Sequence, residues 1–212
     1  MKFGVLGTGA AGQTVAGKLV AMGHDVMMGA RAADNEKVVA FATRTGGRAG
    51  TFAEAAAYGD MVLNCTRGDT SLATLSGLGT QLRGKVLIDI ANPLDFSQGF
   101  PPHLTVSNTD SLAEQIQRAL PDTFVVKSLN TVNAAVMIDP RRVPGRHSVF
   151  VSGNDKRAKG QVMDLLRGLG WQSIIDLGDI TSARAAEQIL PLWTRLYSVL
   201  GTGDFNIAVM KG

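Results

Sequence analysis

Apolar positions along this 212-residue chain follow two rhythms. Short runs such as Phe3-Gly4-Val5-Leu6 and Met61-Val62-Leu63 are bounded by glycine or polar residues, as buried strands are. Between them apolar residues recur at the spacing of one helical face. The alternation predicts strands over 3–6, 25–28, 48–50, 61–65, 86–90 and 124–127, and helices after the first run and over 35–45, 51–58, 70–82 and 111–120. Thr51-Phe52-Ala53-Glu54 and Ser111-Leu112-Ala113-Glu114 have the composition of capping boxes and mark two of the helix starts. Strands that alternate with helices imply an α/β fold: a doubly wound parallel sheet with helices on both faces.

Beyond Pro140 the composition changes. Residues 140–146 read as a loop. A strand over 148–151, a helix over 156–169, a strand over 171–176, a long helix over 183–200 and a terminal strand over 205–209 follow. The chain therefore divides into a unit over 1–140 and a small C-terminal α/β extension over 141–212. In the last helix Ile189, Leu192, Trp193, Leu196, Val199 and Leu200 repeat at helical spacing, which suits core packing or a homodimer interface.

The first turn carries the most specific chemistry. Gly7-Thr8-Gly9-Ala10-Ala11-Gly12 follows a strand and opens a helix, the context in which a G-x-G-x-x-G run binds a dinucleotide in a Rossmann-type sheet. Gly7 allows the tight turn, Gly9 lets backbone approach a pyrophosphate, and Gly12 lets helix pack on strand. The second strand then ends in Gly29-Ala30-Arg31, where an NAD-binding fold has an acid for the ribose 2′-hydroxyl. Arg31 offers a fork of donors to phosphate oxygens, and Lys37 can add charge. The expected cofactor is NADP(H), bound in the 1–140 unit.

Composition removes other classes. No apolar run approaches the length of a membrane span, and the apolar start is too short for a signal peptide, so a cytoplasmic protein without membrane contact is expected. The single cysteine, Cys65, excludes an intrachain disulfide and a cysteine-based zinc site. His24, His103 and His147 lack partners at ligand spacing, so no metal site is expected. The net charge of +3 is dispersed, which gives no support to nucleic-acid binding.

In an open parallel sheet ligands lie at the carboxyl ends of the strands. Those ends are Cys65-Thr66-Arg67, Ala91-Asn92-Pro93-Leu94 and Lys127-Ser128-Leu129-Asn130-Thr131. Asn92 and Asn130 could hold a nicotinamide amide or shape their loops. Arg67 could meet a phosphate or stand in solvent. Lys127 could donate a proton in the site or form a structural salt bridge. Asn92, Lys127 and Asn130 are thus the catalytic candidates. Arg141, Arg142 and Arg146 could touch an acidic acceptor tail or be solvated.

These motifs, in this order, resemble the F420-dependent NADP oxidoreductase family, whose reductase domain is also found in the STEAP metalloreductases. The resemblance rests on the glycine run, on Gly29-Ala30-Arg31, on Asp89-Ile90-Ala91-Asn92-Pro93-Leu94, on Val125-Val126-Lys127-Ser128-Leu129-Asn130-Thr131 and on Gly201-Thr202-Gly203-Asp204-Phe205. It implies Thr8 and Gly9 at the pyrophosphate, Ala30, Arg31 and Lys37 at the 2′-phosphate, and Thr66, Asn92 and Asn130 near the nicotinamide. The family often has Ser or Thr where this chain has Ala30, so one hydroxyl contact is missing. The implied activity is hydride transfer between NADPH and a small planar electron acceptor, coenzyme F420 or a flavin such as FMN, with the cofactors carrying the chemistry. Two alternatives are a carbonyl or imine reductase with Lys127 as acid, and a non-catalytic NADP(H)-sensing protein.

Overall fold

In the computed structural model, which describes residues 1–212, the opening apolar run is β1 (Lys2–Leu6) and leads into α1 (Ala10–Ala21). There follow β2 (Asp25–Ala30), α2 (Glu36–Thr45), β3 (Arg48–Thr51), α3 (Phe52–Tyr58), β4 (Met61–Asn64), α4 (Gly68–Ser76), α5 (Gly79–Leu82) and β5 (Val86–Asp89). The chain continues through β6 (Leu94–Asp95), β7 (His103–Leu104), α6 (Leu112–Ala119), β8 (Phe124–Ser128), α7 (Ala134–Ile138), β9 (Ser148–Gly153), α8 (Lys156–Gly168), β10 (Ser173–Gly178), α9 (Ala183–Gln188) and α10 (Leu190–Leu200).

Eight strands form one sheet in the order β10-β9-β8-β5-β4-β1-β2-β3, and β6 pairs with β7 in a separate small hairpin. From β3 to β8 every pairing is parallel. The chain winds outward from β1 to β3, then returns past β1 to β4 and runs the other way. That reversal opens a crevice at the carboxyl ends of β1 and β4, where such sheets take their ligands.

The strand sequences explain the two-sided core. Every residue of β4 and β5 is buried, so both strands are apolar almost without interruption. Successive side chains point to opposite faces and feed different clusters. Val5, Leu63, Ile88 and Val126 belong to one cluster, whereas Leu6, Val62, Leu87 and Val125 belong to the other. Helix ends follow local chemistry: Thr51 and Glu54 complete a capping box on α3, the Asn35 side chain caps α2, and Gly46 and Gly201 close α2 and α10 in the left-handed conformation.

Residues beyond 140 build onto the same sheet. β9 joins β8 antiparallel, β10 pairs parallel with β9, and Val149, Val151, Val162, Leu166 and Trp171 enter the larger cluster. Three expected elements come out differently. The helix expected over 70–82 is interrupted at Gly77, giving α4 and α5. The helix expected over 183–200 is broken at Ile189, because Pro191 lacks an N–H and its ring opposes the carbonyl one turn back. Residues 205–209 form no strand. The Ser148 N–H donates to the Ile207 carbonyl at 2.9 Å and the Val209 N–H to the Ser148 hydroxyl at 3.3 Å, so the tail is pinned beside β9 without a ladder. No helix is long and apolar enough to cross a membrane.

Candidate functional site

The turn after β1 is built on close approaches. Gly7 has φ +121°, and a Cβ there would run into the Cys65 carbonyl. A Cβ on Gly12 would strike the Gly7 carbonyl, so glycine at 12 seats the first turn of α1 directly on the loop. Gly9 differs: a Cβ there would meet no protein atom, because its Cα faces open space. Gly9 is also the N-cap of α1, and no side chain caps that helix. The amides and positive end of α1 are left for an anion.

Gly7, Thr8, Gly9, Ala30, Arg31, Asn35, Lys37, Phe52, Cys65, Thr66 and Arg67, with Thr70 and Thr74, line a cavity of about 380 Å³. Nine of these residues were expected from the sequence. Asp25 lies at the far end of β2, so the strand's carboxyl end carries no acid, and none lines the cavity beside Arg31. Lys37 is located by two neighbours. The Asn35 carboxamide accepts from its N–H at 3.1 Å, and the Gln13 side chain donates to its carbonyl at 3.1 Å. Donors, an open Gly9 and the missing acid together fit a phosphorylated dinucleotide.

A second cavity of about 240 Å³ shares Cys65, Thr66 and Arg67 with the first and adds Ala11, Gly68, Asp69, Ile90, Ala91, Asn92, Leu94 and Phe96. Arg67 caps α4 from the outside and pairs with Asp69. A Cβ on Gly68 would collide with the Asn92 carbonyl, so that glycine lets α4 close against the loop after β5. Burial, then the charge of Asp89, pushes the Cys65 thiol well above its usual range, so it stays protonated.

Several expected residues stand behind the wall. The Asn130 amide donates to Asn92 Oδ1 at 2.9 Å and to the Ala186 carbonyl at 3.0 Å, and the Asn92 amide returns a bond to the Asn130 carbonyl at 2.9 Å. Gly12 and Pro93 are buried, and Ala10 opens to a neighbouring groove with Gln13 and Lys37. Leu129, beside Asn130, is held at φ +61° while buried, a costly conformation for a leucine. The arginines beyond Pro140 point elsewhere: Arg141 pairs with Asp139 and Arg142 with Asp204.

Of the two readings of Lys127, proton donor or structural salt bridge, the structure shows the salt bridge. Its side chain is 0% exposed, and its ammonium meets Asp89 at 2.8 Å, Glu187 at 2.9 Å and the Ala91 carbonyl. Its hydrogens are all directed to protein acceptors. Burial works to lower its pKa, but Asp89 and Glu187 outweigh burial and hold it above the ordinary value. The salt bridge extends into a network that the sequence did not reveal. Asp89 Oδ1 accepts from the Ala91 N–H and from Asn64, whose own oxygen accepts from Thr66 at the cavity wall. Glu187 accepts the N–H groups of Leu112 and Ala113 at the start of α6.

Residues 2–93 match the family described as NADP oxidoreductase, coenzyme F420-dependent. The F420-dependent NADP reductase of Methanothermobacter marburgensis is 30% identical over 207 residues, spanning 92% of each chain. The chain belongs to the F420-dependent NADP oxidoreductase family. A solved structure, that of a protein of Arthrobacter sp. FB24 provisionally described as an F420-dependent NADP reductase, superposes over 100% of both chains with a TM-score of 0.94 and 49% identity. Rat metalloreductase STEAP3 is 30% identical over 209 residues, 96% of this chain, but the chain spans only 40% of STEAP3's length. As a member of an oxidoreductase family, this chain carries its family match over the glycine loop, the whole lining of the first cavity and all of the second but Leu94 and Phe96.

Proposed function

We propose that this protein transfers hydride between NADPH and a planar acceptor ring, either coenzyme F420 or a flavin such as FMN. The carrying observation is the acid-free carboxyl end of β2, where Arg31 and Lys37 line one cavity with the glycine loop. Arg31 and Lys37 would hold the 2′-phosphate, Thr8, Gly9 and the start of α1 the pyrophosphate, and Ala91 and Asn92 the nicotinamide end. NADPH, when bound, supplies the hydride from its nicotinamide ring. The protein's work is alignment and exclusion of water. Leu94 and Phe96 give the second cavity an apolar wall suited to a flat ring. Lys127, enclosed by its acceptors, is not free to serve as the acid of a carbonyl or imine reduction.

The test is hydride transfer followed by absorbance, with NADPH or NADH as donor and coenzyme F420, FMN or a simple quinone as acceptor. Turnover with NADPH and one of the planar acceptors, and much weaker turnover with NADH, is the expected result. Tight NADPH binding without turnover on any acceptor would replace this reading with a sensing protein.

We also infer a homodimer through the C-terminal region. Leu192, Tyr197, Val199 and Leu200 on α10 are exposed, which supports a further surface covering them. Sedimentation at micromolar concentration is the check, and a monomer would overturn the inference.

A further inference from the structure

We propose that Glu187 is a positioning residue that sets the Ala91-Asn92 wall of the site from behind, an inference that rests on the NADPH reading above. Two consecutive residues of α9 grip two consecutive residues of the cavity wall. Glu187 holds Lys127 at 2.9 Å, and Lys127 donates to the Ala91 carbonyl and to Asp89 at 2.8 Å. Asp89 in turn accepts the Ala91 N–H at 3.2 Å. Both main-chain polar groups of Ala91 are therefore fixed by one charged cluster. In parallel, the Ala186 carbonyl accepts from Asn130 at 3.0 Å, and the same Asn130 amide holds the Asn92 carboxamide at 2.9 Å.

The chemistry of the cluster argues against a purely stabilising role. Asp89 is 0%, Lys127 1% and Glu187 1% exposed. Ions removed from water to this extent contribute little net stability, and well-packed apolar residues commonly serve as well or better. What apolar residues cannot supply is a directed hold on a backbone carbonyl and N–H. Here that hold falls on Ala91, which lines the second cavity. Glu187 lines neither cavity of the site, so its influence on a bound ring passes through Lys127 and Ala91.

The measurement that separates this role from folding uses two ligands. On that reading NADPH would span both cavities, whereas 2′-phospho-ADP-ribose lacks the nicotinamide and would reach only the glycine-loop half. Calorimetric titration of Glu187→Gln should show affinity for the fragment retained within about two-fold and affinity for NADPH reduced by about ten-fold. If glutamine prevents folding, Glu187→Asp keeps the charge, shortens its reach and carries the same pair of titrations. Selective loss for NADPH in whichever variant folds supports the proposal. Equal losses for both ligands, or no loss for either, would overturn it. A wild-type protein that binds neither ligand would overturn the NADPH reading itself and is seen before any variant is made.

Discussion

The two ends of the cleft are built on opposite plans. The glycine-loop end presents backbone amides, an open Gly9 and the exposed Arg31, all supplied within the first 37 residues. The Asn92 end presents few free polar groups, because its carboxamides and main chain are engaged by residues far along the chain. Asn92 and Asn130 are separated by 38 positions, Asn130 and Ala186 by 56. One end leaves its donors unsatisfied, and the other has its wall firmly held. Affinity and alignment should therefore respond to different substitutions.

The largest effect should come from the buried side of this contrast. Lys127→Met leaves Asp89 and Glu187 without their cation and should lower stability by about 3–5 kcal/mol in urea unfolding at neutral pH. The folded protein holds Lys127 above its ordinary 10.5, so its contribution is complete below that pH and lost as pH rises through the folded value. Wild type should accordingly weaken above about pH 10.5 through this group, and Lys127→Met should lack that component.

At the glycine-loop end, Gly7→Ala forces a side chain onto a φ of +121° and against the Cys65 carbonyl. A loss of about 3 kcal/mol in urea unfolding is expected, together with lost NADPH binding. Arg31→Ala should leave stability unchanged and weaken NADPH by about 10- to 100-fold while sparing NADH, because only NADPH carries the phosphate. An equal effect on the two cofactors in titration would remove Arg31 from the phosphate site.

The smallest effect lies outside both ends. Hydrogen bonds from Arg118 hold Asp110 down to about 2, so its contribution to stability is present above about pH 4 and lost as pH falls toward 2. Because Arg118 is 61% exposed, Arg118→Ala should cost no more than about 1 kcal/mol at pH 7. The difference from wild type in thermal unfolding should shrink as pH falls toward 2 and vanish only below it.

What the chain made legible follows the same division. Gly7, Gly9, Gly12 and Arg31 announce themselves because a tight turn and an anion site demand particular residues at fixed local spacing. The positions of the six strands were legible in runs like Val86-Leu87-Ile88, whose neighbours feed opposite faces, whereas their order in the sheet came from the fold. Glu187 was silent. A glutamate between Ala186 and Gln188 reads as one more exposed helical residue, and only the fold reveals that it meets Lys127 and the start of α6. The helix breaks at Gly77 and Pro191 were visible as residues, yet the apolar periodicity continued across both and masked them. Phe52 and Phe96 gave no signal because an aromatic residue beside a strand end looks the same in a core as in a cavity wall.

The grip of α9 on the far wall also orders events in time. As the chain leaves the ribosome, β1, β2 and β4 arrive early, and the glycine loop, Arg31 and Thr66 can assemble around contacts already synthesised. Ala91 and Asn92 emerge soon after, but the partners that hold them lie at Lys127, Asn130, Ala186 and Glu187. A nascent chain halted before α9 would have its phosphate end in place and its ring end unset. The last helices are thus the step that turns a nucleotide-binding fragment into a finished site.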